Sequence, residues 1–341
     1  MEPIIKSIQN SDFFIIAEVA LNHDGSLGNA FRLIEEAKNA GVNAVKFQLH
    51  ISEEERLKNM ETPPYFKLED RNEYFDRTSF SLKEWVKLQK YAHELNLYFI
   101  VSPFSHAAVN ILEDVNIDAY KIASGETTNI PLLEYINIKN RPILLSTGMS
   151  NWEEINNAID IVKKNLIVLF QCSSQYPCSP ENLGLNIIED FRERFKELVI
   201  GYSDHTIGNY SSIAAYIMGA KVFEKHFTLS KTMYGPDAKV SLEPEELENY
   251  VQGIAYIAKA LKNPVDKDNI NLYEGVKKKY EKSIVATRDL EKGHILEFSD
   301  LAFKKPGDGI RADKYGKIIG KILLKNIKKN EKILFHNIIS N

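Results

Sequence analysis

The chain has 341 residues, 44% of them hydrophobic and 26% charged, proportions ordinary for a soluble globular protein. A net charge of −4 argues against nucleic acid or another polyanionic macromolecule as partner, and no apolar run is long enough to cross a bilayer. Met1 to Asn10 contains no signal-peptide core, so a cytoplasmic chain is expected, with Cys172 and Cys178 as reduced thiols.

Residues 1–262 repeat one pattern, a short apolar run followed by a loop and an amphipathic stretch. The runs are 13–18, 44–49, 97–102, 118–123, 142–146, 166–171, 198–202 and 221–226. Helices are expected over 27–40, 82–95, 151–164, 210–219 and 245–261, with Gly41 and Gly219 at helix ends. Strands alternating with helices imply a parallel sheet, and eight units in this length fit a closed (β/α)8 TIM barrel. A doubly wound open sheet is the alternative, weakened because no dinucleotide-binding glycine signature follows the first run.

The texture changes after Leu261. Residues 263–282 are polar and charged and read as a partly helical linker. From Ser283 to Asn341 short strands alternate with tight turns, a small mostly-β domain too short to bury much core without help.

Polar groups close every run at the same end, where a barrel carries its active site. Glu18 ends the first. Lys46 and Gln48 are two apart on the second and share a face. Ser102 ends the third, Lys121 leads to Ser124 and Glu126, and Ser146 ends the fifth. Ser174 and Tyr176 follow the sixth, Ser203 and His205 the seventh, and Glu224 and His226 the eighth. Lysines inside apolar strands need a partner. Either Lys46 and Lys121 pair with Glu18, Glu126 or Glu224, or they hold a phosphate with help from the serines. His205 and His226 on adjacent strands suit an open site for a first-row divalent ion, with Asp204, Glu224 and Asp237 near them in sequence. Other features read as structural. Asn22-His23-Asp24 caps the next helix, residues 53–56 form a solvated face, and Trp85, Trp152 and Met149 pack. The stretch Pro63 to Phe80 reads equally as a cover for the site and as a helix-capping loop.

These motifs resemble those of the sialic acid synthases, which make N-acetylneuraminic, legionaminic and pseudaminic acids. The resemblance spans essentially the whole chain. It rests on residues 15–25 (IIAEVALNHDG), 45–48 (VKFQ), 120–126 (YKIASGE), 145–149 (LSTGM), 201–206 (GYSDHT), 224–229 (EKHFTL), 235–237 (GPD) and 305–310 (KPGDGI). It implies a metal-dependent barrel followed by a C-terminal antifreeze-like (SAF) domain, in a domain-swapped homodimer whose small domain covers the partner's barrel. His205 and His226 would then bind the metal, typically Mn2+, with Mg2+ or Co2+ as alternatives. Lys46, Lys121, Ser124, Ser146 and Ser203 would hold the phosphate of phosphoenolpyruvate, with Ser174 near it and Ser102 at the carboxylate. Glu18, Gln48, Tyr176 and Asp237 would meet an N-acetylated hexosamine or the reacting centre. Lys305 stands where arginine is common; it keeps the charge but loses the fork, and Arg311 is a nearby substitute. Glu18, Glu126 and Glu224 are the candidate acid–base groups. Two other functions compete: a Schiff-base aldolase using Lys121, and a saccharide-binding protein without catalysis.

Overall fold

The computed structural model describes residues 1–57 and 69–339, so part of the Pro63 to Phe80 stretch lies outside the described residues. Two compact units divide at Lys262 and Asn263. In the first, eight strands close a parallel barrel in chain order. They are β1 (Phe14–Ala20), β2 (Ala44–Leu49), β3 (Tyr98–Pro103), β4 (Ala119–Ile122), β5 (Ile143–Ser146), β6 (Leu166–Cys172), β7 (Val199–Asp204) and β8 (Val222–His226). Strand β8 pairs with β1, so the sheet has no edge and the doubly wound alternative falls. Helices Leu27–Asn39, Leu82–Glu94, Trp152–Val162, Tyr210–Ile217 and Pro244–Lys262 occupy the expected stretches.

The apolar runs become buried strands because both of their faces are covered. Residues of one parity, such as Ile15, Ala17, Val45, Phe99, Leu145 and Phe223, pack outward against the helices. Residues of the other parity fill the barrel. Its lower half is hydrocarbon: Phe14, Ile16, Ala44, Tyr98, Ile100, Leu144, Val168, Phe170 and Val222. Ile4 and Ile8, from a short helix Ile4–Asn10 that the sequence reading missed, join this cluster. One step further along each strand the same inward alternation reaches Glu18, Lys46, Lys121 and Glu224. The site is therefore the upper layer of the barrel filling.

Gly201 makes that layering possible. It faces Phe170 across the β6–β7 register. A Cβ at this position would lie 2.6 Å from the Phe170 ring.

The second unit, Asn263–Asn341, begins with an exposed stretch and a helix Glu274–Tyr280. Two antiparallel pairs follow, Ser283–Ala286 with Leu301–Lys304 and Ile322–Leu323 with Ile338–Ile339. Contrary to expectation, this unit has its own core. Ile284, Ala286, Leu290, Leu296, Leu301, Ile310, Ile318, Leu323, Ile327 and Ile333 are all buried together. Isolated bridges such as Leu290 with Ile327 bring loop residues into that core, which a count of strand residues alone underestimates.

The Gly201→Ala variant should lose about 1–3 kcal/mol of stability, the usual cost of overpacking a filled interior. Urea unfolding checks this; an unchanged midpoint would mean that Phe170 has room to move.

Candidate active site

The inward alternation sets the geometry. The ends of the eight strands surround a cavity of about 710 Å3. On its floor the Lys46 ammonium lies 2.8 Å from Glu18 Oε1 and 3.6 Å from Glu224 Oε1. It also donates to Ser102 Oγ at 3.4 Å. Lys121 donates to Ser146 Oγ at 2.6 Å and lies 3.4 Å from Glu224 Oε2, with its Nζ 4.9 Å from the centre of the Phe170 ring. Ser203 donates to Glu224 Oε1 at 3.1 Å, and Gln48 Nε2 to Glu18 Oε1 at 2.7 Å. The two lysines are thus paired with carboxylates, the first of the two arrangements expected for them. Glu126 takes no part in this pairing.

The four charges reset one another. Burial pushes the Glu18 carboxyl up, against the opposing pull of Lys46. Burial also opposes the charge on Glu224, but Lys121 and Lys46 outweigh it and hold this carboxyl below its ordinary value. Lys46 is disfavoured by burial and still raised, because Glu18 and Glu224 flank it. Lys121 is lowered by burial despite Glu224. Glu18 Oε2 and Glu224 Oε2 are buried without a hydrogen bond, although Glu224 Oε2 is within ion-pair distance of Lys121. A buried carboxylate oxygen left unpaired in this way invites a donor from a ligand.

Above the floor, His205 and His226 stand with ring centres 5.5 Å apart. The Ser173 carbonyl accepts from His205 Nδ1 at 2.8 Å. Burial opposes charge on this ring, but Cys172 and the Ser173 bond outweigh it and raise its proton affinity. Its neutral form carries the lone pair on Nε2, where a metal would bind. His226 Nδ1 is buried without a partner, and burial keeps this imidazole neutral. Among the described residues no three His, Cys, Asp or Glu side chains cluster around a metal position. An ion held by these two imidazoles would complete its shell with water or substrate oxygens. Tyr176 covers His205 at 4.0 Å between ring centres. Ser124 and Ser174 converge on Gly148, where a Cβ would lie 2.9 Å and 2.5 Å from their hydroxyls. Asp237 joins the cavity wall.

Several expectations need correction. Asp204 faces away from the histidines. Its carboxylate pairs with Lys225 at 3.1 Å and accepts from Thr206, Ser211 and Ser212 in the layer outside the barrel. Glu126 is not among the side chains lining the cavity; Asn129 donates to it at 2.7 Å. Ser102 lies beneath Lys46 and is fully buried. Met149 does not pack under its loop; it is 72% exposed, with φ +76°, at the cavity edge. Ser26, not Asn22, His23 or Asp24, caps the helix after β1. Asn22 instead donates to the Phe227 carbonyl and Ser241 beyond β8. Lys305 and Arg311 belong to the second unit. Lys305 sits over Tyr280, and Arg311 pairs with Glu281 and Asp313.

The sequence reading missed His50 and Cys172. Both line the cavity, and both continue an alternation already noted: Lys46, Gln48, His50 and Phe170, Cys172. Cys172 and Cys178 are free thiols.

The sequence profile of the NeuB family matches residues 33–266, and that of the SAF domain matches residues 281–339. N,N'-diacetyllegionaminic acid synthase of Campylobacter jejuni is 37% identical, over 94% of this chain and 98% of its own length. Human N-acetylneuraminate-9-phosphate synthase is 34% identical, over 94% of this chain and 91% of its own. The crystal structure of N-acetylneuraminic acid synthetase from Leptospira borgpetersenii superposes with a TM-score of 0.66 at 31% identity, over 79% of this chain and 91% of that one.

His23 supplies a test of how tightly the wall behind β1 is packed. It is buried against Phe80 and Phe47, with ring centres 4.5 and 6.0 Å away, and burial lowers its proton affinity from 6.5 to about 3. A depressed histidine binds its proton in the unfolded chain first. Its contribution is therefore intact above pH 6.5 and is lost as the pH falls towards 3, by at most about 5 kcal/mol. Unfolding free energies measured between those limits should fall less steeply in His23→Phe than in the wild type. Parallel curves would show that His23 is not held neutral.

Proposed function

Since the chain belongs to the NeuB family, we propose that it condenses phosphoenolpyruvate with an N-acetylated hexosamine and water, giving a nine-carbon 2-keto acid of the sialic acid type and phosphate. The observation that carries this reading is the mixed-charge floor, two buried ammonium groups on two carboxylates that each keep one oxygen without a hydrogen bond. A phosphate entering the cavity can take over the Lys46 and Lys121 ammonium protons. Ser146 and Ser203 stand beside those groups, and Ser124 and Ser174 supply hydroxyls at Gly148. Ser102 steadies Lys46 from below. Gln48, Tyr176 and Asp237 on the wall are assigned to the sugar.

His205 and His226 would hold the divalent ion, for which Mn2+ is the leading candidate and Mg2+ or Co2+ the alternatives. When bound, such an ion supplies Lewis-acid polarisation of the open-chain sugar's aldehyde. C3 of phosphoenolpyruvate bonds to the aldehyde carbon, water adds at C2, and phosphate departs as C2 becomes the ketone. Of the water's two protons, one ends on the new sugar hydroxyl and the other on phosphate. Glu224, held anionic, faces the positive charge developing at C2. Glu18, pushed up by burial, is suited to accept a proton from the water and pass it on.

Two copies are proposed to pair, with the small unit of one over the barrel mouth of the other. Lys305 suits that role better than Arg311, because no carboxylate pairs with it among the described residues.

One observation favours a second reading. Burial lowers the proton affinity of Lys121, as an imine-forming lysine requires. Borohydride added with a 2-keto acid should nonetheless leave the protein active and without an adduct. Phosphate should be released only when phosphoenolpyruvate, metal and hexosamine are all present. A panel containing N-acetylmannosamine and a 2,4-diacetamido-6-deoxyhexose identifies the sugar; no release with any member would defeat the proposal. Lys121→Met should lower kcat/KM at least about 100-fold. His226→Ala should lose bound metal by elemental analysis together with turnover, and full retention of the metal would remove this residue as a ligand.

A further inference from the structure

Beyond the end of β2 the inward alternation takes one more step, from Lys46 and Gln48 to His50. Its imidazole lies between two aromatic rings. Phe75 from helix Arg71–Thr78 and Phe104 after β3 stack on it, each with ring centres 4.0 Å away and tilted by 7° and 15°. Both ring nitrogens are engaged. Nε2 is 3.0 Å from Gln48 Oε1, and Nδ1 is 2.7 Å from Glu55 Oε2. Glu55, in the short helix Ser52–Glu55, also accepts from the Ile51 amide at 2.6 Å. Residues 53–56 were read as a solvated face; Glu55 is instead turned inward.

The orientation of each group follows from its partners. Gln48 points one end of its amide at the Glu18 carboxylate, and only the NH2 end makes a favourable contact there. Its carbonyl oxygen must then face His50, so His50 Nε2 carries a proton. Nδ1 lies 2.7 Å from a carboxyl oxygen of Glu55, so one proton sits between the two. Burial holds the proton affinity of this ring below its ordinary value, and Arg71 and Arg56 add to that; Glu55 opposes them without outweighing them. With Nε2–H on the Gln48 oxygen and one proton between Nδ1 and Glu55, no two acceptors face each other.

The geometry points to His50 as a positioning residue for the proposed reaction: through the Gln48 amide it holds Glu18 with one oxygen bonded and the other free towards the cavity. Glu55 shares the proton at Nδ1 and fixes the orientation of the ring. The charged groups acting on the ring are Glu55 and Arg56 beside it in sequence and Arg71 from the helix packed over it. If that shared proton is lost, the one left on the ring goes to Glu55, its stronger acceptor. Nε2 then presents a lone pair to the Gln48 oxygen. The amide must turn over, and its carbonyl would face Glu18.

This inference rests on the proposed function for its kinetic part only. The experiment compares wild type, His50→Phe, His50→Gln and Glu55→Gln. The first readout is kcat and KM for phosphoenolpyruvate across the neutral to alkaline range. His50→Phe keeps the ring stack but not the donor, so kcat should fall about 10–100-fold with a smaller change in KM. His50→Gln restores an amide donor towards Gln48 and should recover most of that loss. Glu55→Gln satisfies Nδ1 without a second proton and should shift or remove the alkaline limb. The second readout is the nitrogen spectrum of histidine- and glutamine-labelled protein. His50 Nε2 should carry a proton near neutral pH. The Gln48 side-chain amide signal should move in His50→Phe and stay near its wild-type position in His50→Gln. Normal kcat and pH profile in His50→Phe, equal damage in His50→Phe and His50→Gln, or a ring without a proton on Nε2 would each overturn the inference. If the wild type releases no phosphate, the proposed function fails, and the spectra alone decide the relay.

Discussion

Two lysines and two glutamates share the inside of a closed barrel, and this arrangement depends on what lies below them. Phe14, Ile16, Tyr98, Ile100, Leu144, Val168 and Phe170 leave water no access from beneath. Charges in such a place must satisfy one another. Lys46 bridges Glu18 and Glu224, and Lys121 completes the set from the other side of Glu224. Separating one of these pairs without a replacement would cost several kcal/mol. A doubly charged phosphate is such a replacement, and this makes the quartet a binding site as well as a stable filling. Gly201 belongs to the same account, since it clears the space for Phe170, over which the Lys121 ammonium rests.

The rest of the cavity is arranged around that floor. Two imidazoles stand on neighbouring strands, each with a nitrogen free for an ion, while serine hydroxyls gather at the tips of β4 to β7. The wall on the β2 side is different in kind. Phe75, His50 and Phe104 form a stack that joins the barrel to the helix Arg71–Thr78. Its hydrogen bonds run inward to Glu18, so packing over the mouth is linked to the orientation of a carboxylate on the floor.

Much of this was legible because two periodicities are simple. Apolar runs with covered faces gave the strands, and residues two apart on β2 and β8 pointed the same way. Polar residues at strand tips gave the site in outline. What the tips did not reveal was direction. Ser203 and Asp204 are adjacent, yet one enters the barrel and the other is buried outside it against Lys225. Glu126 follows β4 by a turn, where strand alternation no longer predicts orientation. His50 was overlooked for the opposite reason, since alternation did continue past the apparent end of the strand. The helix Ile4–Asn10 has too few apolar residues to announce itself; only the barrel base explains why Ile4 and Ile8 are buried.

The central claim is that the Lys46 and Lys121 ammonium groups give up their carboxylate partners to a phosphate. A crystal structure of the protein with phosphoenolpyruvate bound measures this directly. The phosphate should lie within hydrogen-bond distance of both Nζ atoms, with Ser146 or Ser203 among its neighbours. Phosphoenolpyruvate bound elsewhere, with both lysines still held only by Glu18 and Glu224, would contradict it.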